Sequence, residues 1–295
     1  MATGLHDEDL PGFWHDADLA STSAQRMYLR LTRIRLIGTI AAAIGGALSW
    51  SLGFVDLWGV FAMAGFCAAL TAEMALTLLH PERDWYAARA LAESCKTLAW
   101  RYAVGAEPFR IEVNSVAAHA VMAGRLYDLS RQAGGAIAIG GTATAVVTSG
   151  METLRGSAFD DRKGAYIEQR TRAQQSWYAE KASVARRSAK FWRVLLVIAE
   201  LIGLIAATLR TVGAIRFDLL GIIAALVGAG SAWLAVRQHS AKAAAYSTAA
   251  NELAIQVGRL ADTVESGWSE AVNDAEEAIS REHALWLASR SSGSS

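Results

Sequence analysis

Cysteine and proline are both scarce in this chain: two and three residues respectively among 295. Two cysteines, Cys67 and Cys95, supply no disulfide framework, and Cys67 falls inside an apolar run. None of the prolines lies within a long apolar run, so the broken helices that mark many transporters are not indicated. The six histidines, at 6, 15, 80, 119, 239 and 283, show no metal-ligand spacing. No glycine-rich loop precedes a Lys and a Ser or Thr, and no Ser, His and acid set stands out. The expected function is therefore non-enzymatic, with no cofactor. Charge of one sign is lacking too, because 28 Lys and Arg balance 28 Asp and Glu. The arginines gather beside the apolar runs, and no basic surface is left over for nucleic acid.

Charged residues make up only 19% of the chain and hydrophobic residues 53%, and their distribution is uneven. Four windows, 36–55, 57–79, 194–213 and 218–236, are almost wholly Leu, Ile, Val, Ala, Gly and Phe. Each approaches the roughly 20 residues that a helix needs to cross a bilayer. Val55 to Leu57 joins the first two, and RTVGAIRFD (Arg210 to Asp218) joins the last two. Links so short predict two helical hairpins. The fold class expected is an all-α integral membrane protein of four spans, with a cytosolic helical bundle. A faint internal echo supports duplication: ARALAE (Ala88 to Glu93) follows the first hairpin and TAANE (Thr248 to Glu252) the second.

Positive charge sets the orientation. Arg26, Arg30, Arg33, Arg35, Arg83 and Arg89 flank the first hairpin, and Lys181, Arg186, Arg187, Lys190, Arg193, Arg237 and Lys242 flank the second. The tips carry only Arg210 and Arg216. Both termini are placed in the cytosol and the chain in the inner (cytoplasmic) membrane. No signal peptide is read before the first apolar run. Residues 1–20, crowded with acids, are expected to be disordered. The organisation then reads as a first unit over 21–132, a Gly- and Ala-rich cytosolic connector over 133–159, a second unit over 160–290 and a flexible tail over 291–295. Within the connector, AIAI and TAVVTS suggest a loop or a small β-hairpin.

Two acids, Glu73 and Glu200, lie inside the windows at matching depth. At bilayer depth an ionisable side chain faces a partner or water. They are candidates for an ion pathway, where a ring of carboxylates favours cations; each could instead reach the interface or bond a neighbour such as Thr77. Small residues Gly45, Gly46, Ala224, Gly228 and Ala232 are candidate helix-packing positions, within one chain or between copies. Four spans make thin walling for a pore, so a homo-oligomer is expected. Leu253, Val257, Leu260 and Val264 form a seam suited to a coiled coil or to folding back on the helix at Tyr166.

Outside the windows, two polar segments mix aromatics and charges at helical spacing. Trp85, Arg89, Glu93, Lys96 and Trp100, with the adjacent Arg101, form one stripe. Tyr166, Arg170, Gln174 and Trp177 form another, with Tyr178 beside it. Such stripes suit helix packing, and a cation and aromatic pocket for a nucleotide or phosphate is the sharper alternative.

LAESCKTLAWRYAVGAEPF (Leu91 to Phe109) and YIEQRTRAQQSWYAEKA (Tyr166 to Ala182) resemble signatures of the SLATT group, two-transmembrane proteins of bacterial conflict systems. Trp85, Glu93, Lys96, Trp100, Arg101 and Pro108 match a first unit. Arg162, Tyr166, Arg170, Gln174, Trp177 and Tyr178 match a second, and the likeness runs from about Trp14 to about Trp268. The resemblance implies an effector that assembles in the lipid bilayer and permeabilises it when a nucleotide-signalling or sensor partner reports infection. The alternative is a non-conducting scaffold that docks a cytosolic sensor or enzyme.

Overall fold

Rich in Ala and Leu and nearly free of proline, the chain folds almost entirely as helix. The computed structural model describes residues 4–48, 51–52, 55–132, 145–214 and 219–291. The helices are α1 (Gly12–Ala47), α2 (Leu57–Leu79), α3 (Pro81–Val104), α4 (Ser115–Gln132), α5 (Ser149–Arg155), α6 (Phe159–Ala165), α7 (Ala173–Thr211), α8 (Leu219–Arg237), α9 (His239–Asp262) and α10 (Trp268–Ser291). A π-helical segment, Tyr166–Arg172, joins α6 to α7 without a break. Two short antiparallel strands, β1 (Ser51–Leu52) and β2 (Val55–Asp56), link α1 to α2.

The chain divides into two units. The apolar unit comprises 25–81 and 183–243, and the polar unit comprises 1–24, 82–182 and 244–295. In the apolar unit, α2 and the helices containing α7 and α8 are long and apolar enough to cross a membrane, and little of their apolar windows is buried. Such greasy surface is stable only against lipid or other apolar protein.

Glycine closes the first hairpin. A side chain on Gly65 would come within 2.7 Å of the Ala42 nitrogen and the Gly38 oxygen, and one on Gly45 within 2.6 Å of the Trp58 oxygen. Backbones this close exclude even a methyl group. We expect Gly65→Leu to cost about 1–3 kcal/mol through overpacking, read as a lower melting temperature in detergent. Gly46→Leu, which enters open space, should leave it unchanged.

Both returning helices end alike. His80 (φ 43°) follows α2 and Gln238 (φ 49°) follows α8. Each left-handed residue donates its N–H back into the helix, to Leu76 O at 3.2 Å and to Leu234 O at 2.9 Å respectively. A left-handed conformation costs a non-glycine residue about 1–2 kcal/mol, so its recurrence marks the duplication more firmly than the ARALAE and TAANE echo. Gly213 (φ 74°) terminates α7 in a Schellman turn, with Ala214 N–H donating to Leu209 O at 2.9 Å.

Several expectations are corrected. The first window does not run as helix to Val55: α1 stops at Ala47, and the strand pair and the Asp56 cap on Trp58 N–H intervene before α2. Its uncharged helical end, Leu36 to Ala47, amounts to only about 18 Å at 1.5 Å per residue. The described part of the N-terminus is ordered rather than disordered. Leu5, Leu10 and Ala17 are buried, the Leu5 N–H donates to Gln169 Oε1 at 2.9 Å, and Lys96 pairs with Asp7 at 2.6 Å. Apolar residues between the acids supply that anchoring. The expected connector is partly folded as well: Thr148 caps α5, and Met151, Leu154 and Arg155 are buried. Residues 145–148 of TAVVTS are irregular rather than strand, while AIAI lies outside the described residues, as does the tail from 292. The Leu253 seam folds back: Leu253 packs with Tyr178 and Ile279, and Leu260 joins the main core. Val264 lies beyond the end of α9 and is exposed.

Candidate functional site

Arg170 and Glu276 form a fully buried ion pair in the polar unit. The guanidinium grips the carboxylate from two sides, Nε to Oε1 at 2.9 Å and Nη2 to Oε2 at 2.8 Å. The Thr97 hydroxyl donates to Oε2 at 2.8 Å and the Tyr166 hydroxyl to Oε1 at 3.0 Å. Each carboxylate oxygen thus receives two donors, which fills its lone pairs. Burial opposes the Glu276 charge, yet Arg170 and the three hydrogen-bond donors outweigh it and hold the carboxyl below its ordinary range. Burial likewise opposes the Arg170 charge, and Glu276 more than offsets it, so the guanidinium holds its proton more tightly than usual. The Tyr166 hydroxyl is pushed well up, first by burial and then by the nearby carboxylate.

Aromatic rings wall this node. Tyr166 meets Trp100 edge-on at 5.9 Å and Trp268 at 5.7 Å, and the Trp268 indole donates to Val104 O at 3.0 Å. Arg155, also buried, donates to four carbonyls, Tyr102 at 3.0 Å, Phe109 at 2.6 Å, Arg110 at 2.8 Å and Val113 at 3.1 Å. It thereby pins the end of α3 and the loop behind it. Arg162 reaches Ser157 O at 3.1 Å and Glu265 at 2.8 Å. Lys163 donates to Ala261 O and Thr263 O, where the negative end of α9 favours a cation. Burial raises the Cys95 thiol pKa to about 12, which leaves it unreactive.

Residues of the two stripes are only partly brought together. Trp85 and Trp100 are buried, Arg89 pairs with Glu93 at 2.5 Å, and Lys96 lies over Trp14 at 5.3 Å. The Arg101 Nε is buried with no hydrogen-bond partner among the described residues. On the second stripe, Tyr166 and Arg170 point inward, but Trp177 is exposed and Tyr178 takes the buried place. Gln174 is half-buried. The π segment is the cause: its wider turn shifts the inward face by one residue relative to a 3.6 period. Thr97, Arg155, Trp268 and Glu276 were not singled out from sequence. Their one local signal is the apolar series Trp268, Val272, Ala275 and Ile279, which puts Glu276 at the margin of a buried face.

The acids in the apolar unit differ in surroundings. Glu73 pairs with Arg35 at 2.6 Å, across the first hairpin. Glu200 is exposed on the apolar stretch of α7 and makes no ion pair with any described residue. Of the small residues, Gly45 packs on α2 and Gly46 faces open space. Gly228 likewise has nothing near it, Ala224 is exposed and Ala232 half-buried. The second hairpin closes elsewhere, with Leu196 against Gly230 and Ile223 against Gly203.

Comparison with family models gives two matches in tandem. The SMODS and SLOG-associating 2TM effector domain 3 matches residues 11–163, and the SMODS and SLOG-associating 2TM effector domain 1 matches residues 166–286. No curated protein and no solved structure matched. The buried node draws on both matches, because Thr97 belongs to the first and Tyr166, Arg170 and Glu276 to the second. The main core is shared in the same way, so the two domains interlock within the polar unit. With more than half its length matched by one such model and most of the rest by its sister, the chain belongs to the SLATT family, as a tandem pair of membrane-associated effector domains of conflict systems.

Proposed function

We propose that this effector assembles from several copies into an ion-permeable pore, opened through its polar helical unit. Glu200 carries this reading: a carboxylate exposed on an apolar helix, without an ion-pair partner among the described residues, needs water or a neighbouring chain at bilayer depth. Glu73, neutralised by Arg35, is the lesser candidate. The reading takes two spans from each 2TM domain, and the Lys and Arg residues beside the apolar helices favour termini in the cytosol and a target in the inner membrane. The face of α8 bearing Gly221, Ala224 and Gly228 is exposed, and small faces of this kind let helices approach closely in lipid. A neighbouring copy is its intended occupant.

Gating runs through the helix that holds the node. The π segment leads directly into α7, which carries Glu200. Rewinding one π turn as α-helix turns everything downstream by about 100°, and the Arg170–Glu276 clasp resists it. A sensor or nucleotide-signalling partner would act by loosening the clasp. The node is read as a structural clasp, since its buried acid and donors are taken up by one another.

The test is ion flux from proteoliposomes that hold the full chain. We expect Glu200→Gln to reduce the preference for cations severalfold and Glu73→Gln to change selectivity little while lowering thermal stability. Selectivity unmoved by Glu200→Gln removes that acid from the pathway. No flux under any activating condition, with a sensor recovered tightly bound, would favour the non-conducting scaffold.

A further inference from the structure

An apolar cavity of about 510 Å³ opens within the apolar unit between α1, α7 and α8. Its lining is graded. Arg33, Trp192 and Trp233 stand at one end, and Ile40, Ala199 and Leu226 line the other. On each helix these residues are seven apart, so the slot extends about 10 Å along the helices. The order is the same on all three: cation or indole first, aliphatic side chains after.

The polar end has an unusual charge. Arg33 lies 5.6 Å from the Trp233 ring centre and Arg237 lies 5.7 Å from it. Two guanidinium groups therefore share one indole, and neither forms an ion pair with a described residue. Stacking on the ring compensates part of their charge. Arg237 lies one turn beyond Trp233 on α8, outside the residues that line the cavity, and an anion at the cavity's polar end would compensate both.

We propose that this cavity binds one anionic phospholipid, with its phosphate held by Arg33 and Arg237 and an acyl chain running past Leu196 toward Leu226. Indole rings at the level of the glycerol agree with the aromatic belt of membrane proteins. A free phosphate accounts for the arginines but leaves the aliphatic slot unfilled. A neutral lipid fills the slot but leaves the two cations uncompensated. The site rests on the membrane placement of these helices and on nothing concerning conduction, so a failed flux experiment leaves it standing.

The experiment is native mass spectrometry of the full chain in neutral detergent, with phosphatidylglycerol or phosphatidylcholine added. Each juxtamembrane cation contributes roughly fivefold to anionic-lipid binding. Wild type should therefore prefer phosphatidylglycerol by on the order of tenfold or more. Arg33→Gln with Arg237→Gln should abolish that preference. Ala229→Phe, which fills the slot, should weaken the binding of both lipids severalfold; Ala229→Leu serves if the larger ring prevents folding, as judged by melting temperature. Millimolar inorganic phosphate should not displace phosphatidylglycerol. Equal binding of the two lipids by wild type, or a preference that survives loss of both arginines, overturns the proposal. Displacement by phosphate, or full binding after the slot is filled, overturns it as well, by reducing the site to an anion contact.

Discussion

Replacing Arg170 with Met is expected to destabilise the polar unit by about 3–5 kcal/mol. The change strands the Glu276 carboxylate in a fully buried position, where Thr97 and Tyr166 alone cannot offset its desolvation. Glu276→Ala should cost a similar amount by stranding the guanidinium. Arg170→Met combined with Glu276→Leu should cost distinctly less than the sum, because no charge is left without a partner. Thermal unfolding in detergent measures the totals, and amide exchange along α10 locates the loss. If either single variant melts within a degree of wild type, the pair does not hold the unit together.

Acid should act on the same clasp. The Glu276 pKa is lower folded than its ordinary 4.5, so its contribution is fully present above about that value. It is lost as pH falls through the folded value. Stability of the polar unit should be level down to about pH 5 and decline below it. Glu276→Gln should flatten that decline, with other carboxylates accounting for what remains.

Arg155→Ala should also cost much, at about 3 kcal/mol. Four carbonyls lose their donor at once, and a buried acceptor without a partner costs about 1–3 kcal/mol before relaxation or water entry. The Tyr102 ring also loses the cation stacked 5.0 Å from its centre. Arg155→Lys should recover little, because an ammonium has three donors and no planar fork to span carbonyls from Tyr102 to Val113. Proteolysis between Val104 and Asn114 offers a local readout. Cleavage there should rise in both variants, and wild-type resistance in Arg155→Lys would show that charge alone suffices.

Local composition decided the greasy helices. The windows at 57–79, 194–213 and 218–236 anticipate α2, the end of α7 and α8 to within a few residues. Hydropathy sums over neighbours in the chain and needs no knowledge of what lies across space. The two aromatic and charged segments were equally legible as helix, and they carried the family resemblance. At the edges the same logic fell short. Leu5 and Leu10 sit among acids and look unstructured until the core that receives them exists. The first window ran past Ala47 because apolar residues continue into a short strand pair that composition does not register.

The partners are what tertiary structure alone supplied. Arg170 and Glu276 stand 106 residues apart, and no periodicity links them. The π turn that puts Tyr178 inside and Trp177 outside depends on packing around Tyr166, since nothing in YIEQRTR itself favours a wider helix. Glu73 and Glu200 look equivalent in sequence, and only the crossing of α1 over α2 gives one of them an arginine. Whether a residue enters lipid is a property of its own atoms and those beside it in the chain. Whether its charge is answered depends on atoms that only folding brings near.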